Sequence, residues 1–209
     1  MKPNIALLVA ILAVLAAIGY SLMVYSSLPA LIPIHWNYAG QVDGWGDRVL
    51  GASLMPALMV LVLALALLAP RFAPGDFRVL RLRRAFSLVM AALLLFLLFM
   101  HVVTLQAALH PQTPTVRLIS LALCGLMIWL GLLMPTIPPN RWMGVRTVWT
   151  LSDVDNWRKT HAFAARSMAL AGAVGAVLTA ALGAFTASLG AILIGALLPV
   201  WYSYHLSRH

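Results

Sequence analysis

The stretch that decides the fold is RVLRLRRAFSLVMAALLLFLLFMHVVTLQ, residues Arg78–Gln106. Arg78, Arg81, Arg83 and Arg84 crowd its first seven positions, and from Ala85 to Gln106 there is no Lys, Arg, Asp or Glu. About 20 predominantly apolar residues in helical form match the hydrocarbon layer of a bilayer. Inside that layer a segment must bond its own backbone, which selects the helix. The stretch therefore reads as a membrane-spanning helix with a basic flank.

Working outward, five further stretches have the same character, giving spans at Ile5–Tyr25, Val49–Ala69, Ala85–Gln106, Arg117–Met134, Ala162–Ala184 and Ala187–Tyr204. The last two are separated only by Phe185 and Thr186, where a tight turn is expected. The whole chain agrees: of 209 residues, 63% are hydrophobic and 9% charged, against about 45–50% and 25% in soluble domains. Mean hydropathy is +0.95. Soluble globular, disordered and disulfide-scaffold classes are excluded. The single cysteine, Cys124, has no partner for an internal disulfide. The first apolar run follows Lys2 as in a signal peptide, but it is longer than the usual 7–15 residues and ends in Tyr20 and Tyr25, so it is read as a retained helix. The expected fold is an all-α membrane bundle of six helices, one domain over residues 1–209.

The basic residues orient it. Lys2, the group Arg71 to Arg84, the group Arg141, Arg146, Arg158, Lys159 and Arg166, and Arg208 fall on one side, leaving only Arg48 and Arg117 on the other. The excess of loop Lys and Arg marks the cytoplasmic side, so both termini are expected there. The net charge of +9 then follows from orientation and attraction to anionic lipid headgroups, and no direct nucleic-acid partner is expected.

Two connections are too long and too rich in Trp, Pro and Gly to be plain links. The outer loop, residues 28–48, reads LPALIPIHWNYAGQVDGWGDR; the inner loop, residues 135–161, reads PTIPPNRWMGVRTVWTLSDVDNWRKTH. In the first, Pro29 and Pro33 favour extended chain, Trp36, Tyr38 and Trp45 suit the headgroup layer, and His35, Asn37, Asp43 and Asp47 supply polar groups. It reads either as an aromatic-anchored interfacial loop or as a surface for an extracellular ligand. In the second, Ser152 is expected to cap a helix that carries Asp153 and Asp155 in its first turn and runs through Trp157 and His161 into the fifth span. Arg146 is placed to bond helix-end carbonyls or to pair with Asp153 or Asp155. This loop reads either as structural capping or as a docking face for a cytoplasmic partner.

The loops echo one another. Pro29, Pro33, Trp36 and Asp47 recur as Pro135, Pro139, Trp142 and Asp153, each 106 residues on. With three spans per half this spacing suggests a three-plus-three inverted repeat, the arrangement found in many transporters.

The outer segment Pro33-x-His35-Trp36-Asn37-x2-Gly40-x2-Asp43-Gly44-Trp45 resembles the first-loop motif of SdpI-type membrane proteins. The inner segment Asn140-x3-Gly144-x-Arg146-Thr147-x-Trp149-Thr150-Leu151-Ser152, followed by Trp157-x2-Thr160-His161, resembles that family's second signature. Val148 stands where the family often has proline. The resemblance implies a multi-pass protein of the bacterial inner membrane that gives immunity to a secreted toxin peptide and signals by holding a cytoplasmic repressor at the membrane. It implies ligand contacts at His35, Trp36, Asn37, Gly40, Asp43, Gly44 and Trp45. On the inner loop it implies partner-binding or structural roles for Asn140, Gly144, Arg146, Thr147, Trp149, Trp157 and His161.

Other chemistries leave thinner traces. His35, Asp43, His101 and His110 suit a divalent metal such as zinc if they converge on the outer face, which would make a membrane enzyme; no HExxH, GxSxG, Walker or Rossmann pattern is present. A binding protein with no catalytic residue and no cofactor is expected. A small transporter or flippase is the alternative, although no span contains an acid for a carboxylate relay. Gly172, Gly175, Gly183, Gly190 and Gly195 permit close helix contact, within the bundle or in a homodimer. Arg166, inside the fifth span, is expected to snorkel toward the basic side.

Overall fold

The computed structural model describes residues 4–37, 39–72 and 74–208; Lys2, Tyr38 and His209 lie outside them. The order of elements is α1 (Ile5–Val24), a 3-10 turn (Tyr25–Ser27), β1 (Leu31–Trp36), β2 (Val42–Asp47), α2 (Arg48–Phe72), α3 (Pro74–Phe77), α4 (Leu80–Leu109), α5 (Thr115–Leu133), a second 3-10 turn (Met134–Thr136), α6 (Val148–Ser152), α7 (Val154–Leu182) and α8 (Phe185–Leu206). Six of the helices are long and apolar enough to cross a membrane. The chain is a polytopic helical bundle with one small antiparallel sheet added at a helix end.

The helices pack as two groups of three, α1 with α2 and α4, and α5 with α7 and α8, joined along α4 and α5. In the first group Ala10, Ala13, Val14 and Ala17 form a buried stripe on α1 that meets Met59 and Leu94. The stripe follows the three- and four-residue spacing of a single helix face. The Asn4 side chain caps α1 by accepting from the Leu7 amide and donates to Ser87 of α4. In the second group the contacts are closer. A Cβ on Gly172 would sit 2.7 Å from the Cys124 carbonyl oxygen, and one on Gly195 would overlap Ala171. These glycines let backbones approach where apolar side chains gain nothing over lipid.

Grouping by threes is therefore present, but the two groups are built differently. Both α1 and α2 pack chiefly on α4, whereas α5 and α8 both pack chiefly on α7. The 106-residue echo is also not matched locally: the first loop is a β-hairpin, the second a turn followed by the short α6.

Three local expectations change. The cap of α7 is Asp153, whose carboxylate accepts from the Asp155 amide, while Ser152 ends α6. The tight turn after α7 falls at Gly183, in the left-handed region at φ 63°, and Ala184, because a residue without Cβ enters that region freely. Arg146 donates to the Arg141 carbonyl, and Asp155 pairs instead with Arg158 and Lys159, its i+3 and i+4 neighbours.

Candidate functional site

At one end of the bundle β1 and β2 pair Leu31 with Asp47, Ile32 with Gly46, Pro33 with Trp45, His35 with Gly44 and Trp36 with Val42, with irregular steps on either side of His35. The hairpin is anchored by Ile32, which is buried with Leu28, Ala52 and Leu105. Its tip is shaped by Asn37, whose side-chain oxygen accepts from the amides of Ala39 and Gln41; such local bonds are why Asn favours turns. Asp47 accepts from the Leu50 amide, which starts α2. Arg48 donates to the Pro29 carbonyl and lies over the Tyr25 ring.

These bonds sort the outer motif into parts. His35 and Asp43 bond to each other on the exposed side of the hairpin. Gly44 faces His35 so closely that a Cβ there would lie 2.7 Å from the His35 Cβ. Trp36, Gly40 and Trp45 instead wall a cavity of about 730 Å³, whose other side is built by Thr115, Val116, Arg117, Thr179, Gly183 and Phe185. Its volume lies in the usual range for ligand sites, about 300–1,000 Å³. Arg117 donates to the Ala180 carbonyl at the end of α7. Under the cavity, hydroxyls chain from Ser120 to Thr179 to Ser188, which donates to the Gly175 carbonyl. The second half of the chain thus supplies half of this site. Arg117 was the one legible sign of it, as one of two basic residues set apart from the rest.

His101 does not join His35 and Asp43. It is buried between helices, where Ser21 donates to the Ala52 carbonyl and accepts from His101 Nε2. Among the described residues no three His, Cys, Asp or Glu side chains are grouped to hold a metal ion.

At the opposite, arginine-rich end, the second loop is bonded to the helices side chain by side chain. Asn140 is buried; its oxygen accepts from the Trp142 and Met143 amides and its nitrogen donates to the Pro138 and Met143 carbonyls. Trp157 is buried and donates to the Ile137 carbonyl. His161 donates from Nδ1 to the Trp157 carbonyl at 2.9 Å, so Nε2 is free to accept from the Val145 amide at 3.3 Å. A carbonyl only accepts, which sets the tautomer. Gly144, at φ 103°, leaves room for that imidazole; a Cβ there would overlap Nε2. Thr147 and Thr150 form a reciprocal capping box on α6, and Thr147 also meets Ser203 of α8. Asn156 donates to the Ser203 carbonyl. Of the inner-loop residues singled out in the sequence, Arg146 is exposed and Trp149 is half-buried against Tyr204; the others hold the loop down.

Two family models match the chain on these same regions. A domain of unknown function, DUF1648, matches residues 12–60, which take in most of α1, the hairpin and the first part of α2. The SdpI/YfhL protein family matches residues 136–203, which take in the second loop, α6, α7 and most of α8. Over residues 136–203 the chain is similar to the SdpI/YfhL family, as the inner-loop motif led one to expect. Neither the curated proteins nor the solved structures contain a match. The SdpI/YfhL-matched segment is thus the bonded loop together with the helices that receive it, and the DUF1648 segment is the one that builds the hairpin wall of the cavity.

Proposed function

We propose that this protein is an SdpI-type immunity and signalling protein of a bacterial inner membrane, with the hairpin end outside and both termini in the cytoplasm. Its outer cavity receives a secreted toxin peptide or a related envelope ligand. Its basic end offers Arg146 and the exposed edge of α6 to a cytoplasmic partner such as a repressor. The observation that carries the reading is the 730 Å³ cavity between Trp36 and Trp45 on one wall and Arg117 and Phe185 on the other. Aromatic side chains supply rigid apolar contact area, and a cation beside them orients a ligand.

One helix gives the two ends a physical link. Thr179 of α7 lines the cavity, and Asn156, Trp157 and His161 of the same helix hold the second loop. A ligand that fits one placement of the α7–α8 turn better than another shifts that equilibrium, and the loop at the far end of α7 reports it. In this reading the protein binds and signals, and neither catalysis nor a cofactor is part of it.

The test is expression in a peptide-sensitive bacterium challenged with secreted killing peptides. Protection by the wild type that Trp45→Ala and Phe185→Ala both abolish at equal membrane abundance is the expected result. Full protection by both variants overturns the site. Single cysteines at positions 35 and 146, probed with a membrane-impermeant maleimide, test the sidedness: label on intact cells is expected only at position 35. Peptide flux into liposomes, with no gain of protection, would move the reading to transport.

A further inference from the structure

Arg166 is exposed on α7, twelve residues into that helix, and has no hydrogen bond or ion pair among the described residues. The ion pairs in that region engage only Asp155, Arg158 and Lys159. Phe163, one turn before Arg166, stacks on Tyr202 of α8, and Trp201, Tyr202 and Tyr204 form the aromatic band that suits a bilayer interface. Arg166 therefore starts about 5 Å deeper than that band, given 1.5 Å per helical residue. Its long side chain reaches back to the phosphate layer.

Directly beyond it lies a groove of about 450 Å³ between α7 and α8. Leu170 and Val174 form one rim, Ile194 and Leu198 the other, and Gly195 lies in its floor. The groove is apolar along its length and carries one cation, Arg166, at its basic end. Near that end Arg158 and Lys159 face a single carboxylate, Asp155, so the local balance remains positive. A cation at this depth without a carboxylate, opening onto an apolar groove, matches a molecule with an anionic head and a hydrocarbon tail.

We propose that the α7–α8 groove is a binding site for an anionic glycerophospholipid of the leaflet at the basic end. Its phosphate bonds Arg166 and one acyl chain lies between the Leu170–Val174 and Ile194–Leu198 rims. This site is separate from the hairpin cavity and stands whether or not that cavity binds a peptide.

Native mass spectrometry of the purified full chain, titrated in detergent with phosphatidylglycerol or phosphatidylcholine, tests it. Phosphatidylglycerol is expected to be retained preferentially. Arg166→Gln is expected to lower its retention about fivefold, the effect of one interfacial cation on an anionic lipid. Arg166→Lys is expected to keep most of it, and Ala191→Phe, which fills the groove, to weaken both lipids. Arg208→Gln, outside the groove, serves as the control and is expected to change nothing. Equal retention of the two lipids by the wild type, or unchanged phosphatidylglycerol retention by Arg166→Gln in a monodisperse sample, overturns the proposal. So does a dimer that binds no lipid and separates on Ala191→Phe substitution, since a second copy would then fill the groove.

Discussion

The two ends of the bundle carry loops of similar composition and opposite construction. Both are rich in Trp, Pro, Gly and short polar residues. At the hairpin end the backbone bonds itself into a sheet, so the side chains are released: His35 and Asp43 pair in the open, and Trp36 and Trp45 stand around a cavity. At the basic end no strand forms among the described residues, and the backbone amides and carbonyls are met by Asn140, Trp157 and His161. Buried backbone groups must find partners one way or the other. A sheet leaves aromatic residues free for a ligand; a loop without one uses its side chains as partners and has few left to offer.

This contrast can be broken by mutation. The largest effect is expected from Trp157→Ala, which empties a buried site and strands the Ile137 carbonyl; about 3–5 kcal/mol of stability is expected to be lost. Thermal unfolding in detergent reads it, and an unchanged midpoint would show that the second loop is not a structural clamp. Next comes Gly144→Ala. Its left-handed backbone costs roughly 1–2 kcal/mol with a Cβ, and the added methyl overlaps His161 Nε2. Limited proteolysis is expected to cut this variant within residues 140–147 while the wild type resists.

Trp45→Ala sharpens the other half of the comparison. Trp45 is 58% exposed, so the unfolding midpoint is expected to move by less than about 0.5 kcal/mol equivalent. Ligand affinity is expected to fall by at least about thirtyfold, as for an aromatic anchor worth about 2 kcal/mol. A variant that loses stability and keeps binding would reverse the assignment of the two ends. The smallest effect is expected from Asp43→Ala. It removes an exposed pair worth less than about 1 kcal/mol, so stability stays and protection weakens less than with Trp45→Ala; protection titrated against peptide dose compares them.

Much of this was legible from residues alone. Runs of spanning length nearly free of charge located all six long helices, because hydrocarbon permits little else. Helix ends were legible where the sequence carried a cap signal: α7 begins at Val154, as its acidic first turn led one to expect, whereas α4 begins at Leu80, ahead of the expected span, because a helix can continue past the hydrocarbon edge. Length and Trp, Pro and Gly content marked two special loops, which the 106-residue echo then paired. The echo did not reveal that one would be a sheet, since pairing β1 with β2 depends on Ile32 finding Ala52 and Leu105 beneath it.

The site divides in the same way. Trp36, Gly40 and Trp45 were visible as candidates, and so were Trp157 and His161. Their roles were not, because a local motif does not say whether a tryptophan faces a cavity or a core. Thr179 and Phe185 carried no signal of their own, and only the fold, which sets the α7–α8 turn across the cavity from the hairpin, brings them to the same site as Trp36. Composition and the placement of arginine were enough to determine that this chain forms helices in a membrane and how they are expected to be oriented, because transfer of charge and bare backbone into hydrocarbon is so costly. Which side chains are left free to bind was decided by tertiary structure, since that depends on which backbone groups the fold satisfies first.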